Sequence, residues 1–307
     1  MPPQLGETFA LHEHQAQALA NLEQMRAENK TIALLYHATG TGKTVTAVSD
    51  AKRVGKRTLF LAHTKELVYQ AYECFCRLWP EVSVGRYPEG YREADTHVVC
   101  GSIQSIAQNI GAFSPDDFGY LIIDECHHGT ADTYQKIMSY FSPTFTLGLT
   151  ATPERTDGED LLSIFQSVAH KLDLQTAVEL DTLVPVRCIR IATNIDLRDV
   201  RIDGFRYNAL DHESKIMIPG RNQLIVDTYC EYVKNRPTVV FCTSVKHAQE
   251  LAALFQAAGV DAHSVSGSTK PAERKRILEQ YEHGSIPVLC ACGAAVVPAV
   301  RRVELQS

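Results

Sequence analysis

His37-Ala38-Thr39-Gly40-Thr41-Gly42-Lys43-Thr44 is the stretch whose reading decides the fold of this 307-residue chain. It follows the apolar run Thr31 to Tyr36 and precedes Val45-Thr46-Ala47-Val48, an order that predicts strand, glycine-containing turn, helix. Such a turn aims successive backbone N–H groups into one concavity, and the positive end of the new helix dipole adds to the attraction for phosphate oxygens. Thr39, Gly40, Thr41, Gly42, Lys43 and Thr44 are therefore the expected nucleotide contacts, with the Lys43 ammonium on the outer phosphates and the Thr44 hydroxyl on magnesium. His37 stands where the strict pattern has its first glycine. The plainer reading is a glycine turn between a buried strand and a helix, and it weakens as the neighbouring segments are added.

Upstream, Leu11 to about Ala27 predicts a helix, since Ala18, Leu19, Leu22 and Met25 recur near the 3.6 period. Gln15 falls in its first turn. A glutamine can pair with adenine through N6 and N7, although an early-helix glutamine is ordinarily turned to solvent. Downstream, Thr58 to Ala62 is a second apolar strand, and Val68, Ala71, Tyr72 and Phe75 have helical spacing. His63-Thr64-Lys65-Glu66-Leu67 thus opens a helix at the carboxyl end of a strand, where open α/β sheets place their ligands. A third strand, Val98-Val99-Cys100, delivers Gly101-Ser102-Ile103-Gln104-Ser105 to the same edge.

The fourth strand, Tyr120 to Ile123, ends in Asp124-Glu125-Cys126-His127-His128. Two adjacent carboxylates at a sheet edge suit magnesium binding by one and activation of water by the other. An acid-rich helix start is the alternative, favoured by the helix dipole. A fifth strand, Phe145 to Leu149, delivers Thr150-Ala151-Thr152-Pro153, whose two hydroxyls can bridge the nucleotide site to a neighbouring segment. Those residues are also ordinary turn formers.

Composition limits the alternatives. With 45% hydrophobic residues and a net charge of -6, the chain can bury a sizeable core and has no overall basic field for nucleic acid, so such a partner must be held by local groups. No apolar run is long enough for a membrane span, and Met1-Pro2-Pro3-Gln4 lacks a secretory pattern, so a cytoplasmic protein without membrane contact is expected. The cysteines are odd in number and scattered, which reads as reduced thiols, and His127-His128 without a spaced third ligand is a poor zinc pattern.

Taken in order, these segments resemble the superfamily-two helicases of the DEAD/DEAH-box kind, and most nearly the helicase subunits of type III restriction enzymes. Gln15 is similar to the family's upstream glutamine, Ala38 to Thr44 to motif I, and His63 to Gln70 to motif Ia. Ser102 to Ser105 resembles motif Ib, Asp124-Glu125-Cys126-His127 motif II in its DECH form, and Thr150-Ala151-Thr152 motif III. The resemblance implies ATP and Mg2+ as cofactors, with Lys43, Asp124 and Glu125 as the catalytic set, and Thr44 and Asp124 as metal ligands. It also implies nucleic-acid contacts at His63, Ser102 and Gln104, and coupling through His127, Thr150 and Thr152.

A weaker likeness extends to a second motor domain. Thr238 to Cys242 reads as a strand, Ala248, Leu251, Ala252 and Phe255 as a helix face, and Pro271 to Tyr281 as a helix with proline in its first turn. The fold class expected is α/β: a RecA-like phosphate-loop domain with a mostly parallel sheet, then an incomplete second RecA-like domain. Domains are placed at 1–180 and 220–307, with 181–219 as a linker or insertion. Residues 293–307 lack the family's later motifs, so a truncated second domain with impaired hydrolysis is expected. The function implied is ATP-dependent helicase or translocase action, on DNA in preference to RNA, with partner subunits of a restriction or repair complex. The rival is a nucleotide-dependent nucleic-acid-binding module without efficient turnover.

Overall fold

The computed structural model describes residues 10–88, 90–126, 131–152, 165, 167–191, 202–203, 206–207, 219–234 and 236–292. The chain divides into two compact units, Met1–Val186 and Arg187–Ser307.

The first unit begins with helix α1 (Glu13–Ala27), strand β1 (Ile32–His37) and helix α2 (Lys43–Val54). It continues through β2 (Thr58–Ala62), α3 (Lys65–Leu78), β3 (Val84–Tyr87), β4 (Val98–Ser102) and α4 (Ile103–Gln108). Then come β5 (Tyr120–Ile123), α5 (Ala131–Tyr140), β6 (Phe145–Thr150), β7 (Val168–Leu172) and α6 (Leu174–Glu179). The seven strands form one sheet in the order β3-β4-β2-β5-β6-β1-β7, and every pairing in it is parallel.

Parallel strands need crossover helices, which cover both faces, so the central strands are continuous apolar runs. Leu59, Phe60, Leu61 and Ala62 are all fully buried. Side chains alternate between the faces with period two. Phe60, Ala62, Tyr120 and Ile122 pack with Ala18, Leu22, Ala47 and Phe75 of α1, α2 and α3. Leu59, Leu61, Leu121 and Ile123 pack on the other face with Ile103 and Ile106 of α4, Ile137 of α5 and Phe141 just after it. The edge strands β3 and β7 are additions to the sequence reading, because Val84-Gly85-Arg86-Tyr87 and Val168-Ala169-His170-Lys171-Leu172 mix polar and apolar residues as half-exposed edges do.

At the end of the sheet opposite the turn between β1 and α2, Asp50 of α2 is fully buried between Arg26 of α1 and Tyr120 of β5. Its carboxylate accepts two bonds from the Arg26 guanidinium (2.8 and 2.9 Å) and one from the Tyr120 hydroxyl (2.6 Å). Arg26 also lies 5.1 Å over the Phe145 ring of β6. The basic run from Lys52 to Arg57 is used in folding too: Lys52 pairs with Glu81, and Arg57 with Asp117 and the carbonyls of Ala94 and Thr96.

In the second unit, α7 (Pro219–Thr228) runs into a π-helical turn at Tyr229–Val233. Strands β10 (Thr238–Cys242), β11 (Ala262–Ser266) and β12 (Val288–Cys292) form a parallel sheet in the order β10-β12-β11. Helices α8 (Val245–Ala257) and α9 (Pro271–Glu282) are its crossovers, and Ala248, Leu251, Ala252 and Phe255 are buried as their spacing predicts. Earlier in the same unit, β8 (Ile202–Asp203) and β9 (Arg206–Tyr207) form a two-residue antiparallel ladder. Among the described residues no helix is long and apolar enough to cross a membrane.

Candidate nucleotide site and nucleic-acid edge

The glycine-containing turn sits between β1 and α2. Gly40 and Gly42 have φ of 91° and 81°, a left-handed conformation that costs a side-chain-bearing residue about 1–2 kcal/mol. At Gly42, the first residue before α2, a Cβ would also lie 2.5 Å from the Gln15 amide nitrogen. Glycine is therefore needed twice over at that position.

Gln15 is not turned to solvent. It is 2% exposed, its Oε1 accepts from the backbone N–H of His12 (3.0 Å), and its amide nitrogen lies 3.5 Å from the carbonyls of both Thr41 and Gly42. Neighbouring His14 is buried as well, with its Nε2 2.9 Å from the Thr41 carbonyl. One turn of α1 thus braces the loop from outside. Within the loop, the Thr41 hydroxyl donates to the Ala38 carbonyl (2.8 Å), and the buried Lys43 ammonium donates to the His37 carbonyl (3.0 Å). Thr39 and Gly40 are exposed, and Thr44 is half-buried on the first turn of α2.

His37 has a use that the sequence does not reveal. Its fully buried ring bonds to His170 of β7 (Nε2 to Nδ1, 2.8 Å), while its Nδ1 has no partner. Burial, then the neighbouring His170, His14 and Lys43, push the His37 pKa down to about 3, so the ring is neutral. With Nδ1 lacking an acceptor, the less costly tautomer places the proton on Nε2, donating to His170.

The strand order brings the other motifs to the same edge. Strand β6 lies between β1 and β5, with Tyr36 opposite Thr150 and Ile123 opposite Gly148. The phosphate loop, Thr150 and Asp124 therefore leave three adjacent parallel strands at their carboxyl ends. Asp124 is buried, and its Oδ1 accepts from the Glu125 N–H (3.0 Å). Glu125 has φ of 47°, a left-handed value rarely adopted outside glycine and typical of constrained functional positions. The Thr150 hydroxyl donates to the Thr152 carbonyl and accepts from its N–H (3.1 Å), closing the turn after β6. His127 lies outside the described residues.

Farther along the edge, His63 follows β2 and Ser102 ends β4, the strand next to β2. Ser102 caps α4 by accepting from the Ser105 N–H (3.2 Å), and Gln104 is exposed on the first turn. Thr64 caps α3 in the same way through the Leu67 N–H (3.3 Å).

Comparison with known proteins agrees with this layout. Residues 8–155 match the model of the type III restriction enzyme res subunit, and residues 221–296 match the helicase conserved C-terminal domain. The chain is similar to the helicases of superfamily two over both units. The endonuclease subunit of the type I restriction enzyme EcoAI of Escherichia coli is 30% identical, over 74% of this chain and 33% of that protein. The Saccharomyces cerevisiae protein named "Putative ATP-dependent helicase IRC3" is 24% identical, over 92% of this chain and 44% of its own length. The chain thus spans less than half the length of these curated relatives. The helicase domain of Hef from Pyrococcus furiosus superposes with a TM-score of 0.58 at 15% identity, covering 94% of this chain and 92% of that one, a likeness of fold.

The residues present suit magnesium and a nucleoside triphosphate. Thr44 and Asp124 offer the hard oxygen donors that magnesium takes, and the loop supplies backbone N–H groups, a helix N-terminus and an ammonium for phosphate.

Proposed function

We propose that the chain is the motor portion of an ATP-dependent nucleic-acid translocase or helicase, acting on DNA in preference to RNA. The observation that carries this reading is the placement of Lys43, Thr150 and the Asp124–Glu125 pair at the carboxyl ends of three adjacent strands, β1, β6 and β5. In this reading Lys43 leaves the His37 carbonyl for the outer phosphates. Thr44 and Asp124 hold magnesium, which when bound neutralises phosphate charge. Glu125, fixed by its left-handed backbone, orients the attacking water. Gln15 reads the base through its amide, and Thr150 and Thr152 carry the state of the nucleotide toward the nucleic-acid edge. His63, Ser102 and Gln104 contact the backbone of one strand, and the domain limits are those expected from sequence.

The preference for DNA rests on a relative named as the endonuclease subunit of a type I restriction enzyme and is the finer part of the proposal. Measuring ATP hydrolysis with no nucleic acid, with single-stranded DNA and with single-stranded RNA tests it. Greater stimulation by DNA is expected. Greater stimulation by RNA would reverse the preference, and a rate indifferent to both would remove the motor reading.

A further inference from the structure

Beyond β4 the sheet ends in β3, and its carboxyl end carries a cluster that the nucleotide site does not use. The Arg86 guanidinium lies 4.5 Å over the Tyr91 ring, 4.9 Å over Tyr72 and 5.7 Å over Tyr69. Tyr69 and Tyr91 meet edge to face, with centroids 6.1 Å apart and planes at 89°. Arg92 lies 4.9 Å over Tyr87, the last residue of β3. Glu93 holds Arg86 in place, its carboxylate accepting from the Arg86 backbone N–H (2.8 Å) and from the guanidinium (3.2 and 3.4 Å).

Part of this arrangement protects an edge strand. The Glu93 N–H donates to the Arg86 carbonyl (3.2 Å), folding the following loop back over β3, and the ion pair adds charge there. That role does not require Tyr91, whose side chain is 37% exposed in the segment after β3. A rigid aromatic ring set beside an immobilised guanidinium offers flat surfaces of the kind on which bases stack.

Its position fits as well. His63, Ser102 and Tyr87 end or follow the adjacent strands β2, β4 and β3, which neighbour one another in the sheet. At about 4.8 Å per strand, the three positions step across roughly 10 Å of one edge, about three nucleotide steps of ~3.4 Å each. Resting on the nucleic-acid reading above, we infer that Tyr91, Tyr69 and Arg86 form a base-stacking platform for unpaired nucleic acid, one strand beyond the backbone contacts at Ser102. Because Glu93 already neutralises Arg86, stacking supplies the interaction and added positive charge does not.

The test is binding of a fluorescent single-stranded oligonucleotide to the full chain, by anisotropy at several salt concentrations, with Mg-ATP binding measured in parallel. Tyr91→Ala should weaken oligonucleotide binding about ten-fold and leave the salt slope unchanged. It should bind Mg-ATP like the parent, which shows that the unit is folded, and Tyr91→Phe should bind the oligonucleotide like the parent. Oligonucleotide binding by Tyr91→Ala within about two-fold of the parent would overturn the platform. So would a Tyr91→Phe variant as weak as Tyr91→Ala, since the hydroxyl would then be the contact. If His63→Ala weakens binding while Tyr91→Ala does not, the platform fails and the nucleic-acid reading stands. If the parent binds no oligonucleotide, both fall.

Discussion

The Lys43 ammonium lies 3.0 Å from the carbonyl oxygen of His37, six residues earlier in the same loop. The glycine-containing loop is thus closed on its own charge. A buried ammonium needs partners, and here the loop supplies one that a phosphate oxygen can replace. In the proposed function such an exchange requires a loop held firmly from elsewhere, and His14, Gln15 and the His37–His170 pair hold it by their hydrogen bonds.

That bracing predicts the effect of changing Gly42. Gly42→Ala places a methyl group against the Gln15 amide and a side chain at φ of 81°, so both the loop and Gln15 must shift. A stability loss of about 1–2 kcal/mol in urea denaturation is expected, together with weaker Mg-ATP binding. An unaffected variant would show the contact between α1 and the loop to be incidental.

The His37–His170 pair predicts a pH dependence. The His37 pKa is lowered to about 3 in the folded chain, by burial first and then by His170, His14 and Lys43. At pH above the unfolded value of about 6.5 both states are neutral and the ring contributes no slope. As pH falls from there toward 3, the unfolded state takes up a proton that the folded state refuses, so stability drops. Urea midpoints for the parent and His37→Gln, compared between pH 7.5 and 5, should show a smaller acid loss in the variant. The slope removed approaches about 1.4 kcal/mol per pH unit at most. Parallel curves would mean that the ring is protonated in place.

At the other end of the sheet, Asp50→Ala leaves the Arg26 guanidinium and the Tyr120 hydroxyl without their shared acceptor. Removing one partner of a buried pair costs about 3–5 kcal/mol, whereas Tyr120→Phe removes one hydrogen bond worth about 1 kcal/mol. Chemical denaturation of the two variants should preserve that ranking.

Much of the first unit was legible in the sequence because its strands are buried on both faces and read as unbroken apolar runs from Thr58, Tyr120 and Phe145. The turn from Ala38 to Gly42 between β1 and α2 was legible because Gly40 and Gly42 mark the left-handed positions that other residues adopt at a cost. The edge strands β3 and β7 were not, since a strand with one open side carries residues such as Arg86 and Lys171 that break the pattern. The contacts of Gln15, His37 and Asp50 were also hidden. Apart from the His12 N–H on Gln15, their partners lie from 24 to 133 residues away, and only the packed helices and strands bring them together.

The carboxylates predict a separation of binding from chemistry. Glu125→Gln keeps Asp124, so Mg-ATP affinity should stay near that of the parent while hydrolysis falls by about 10² or more. Equal loss of affinity in Glu125→Gln and Asp124→Asn would exchange or merge the two roles.

The most direct test of the account is calorimetric titration of Mg-ATP into the parent chain and into Lys43→Ala. The account predicts saturable binding to the parent and a loss of at least about ten-fold in affinity in the variant, because the one ammonium poised inside the loop is gone. Equal affinity in the two would contradict it, and the stretch from His37 to Thr44 would then be a glycine turn without a nucleotide.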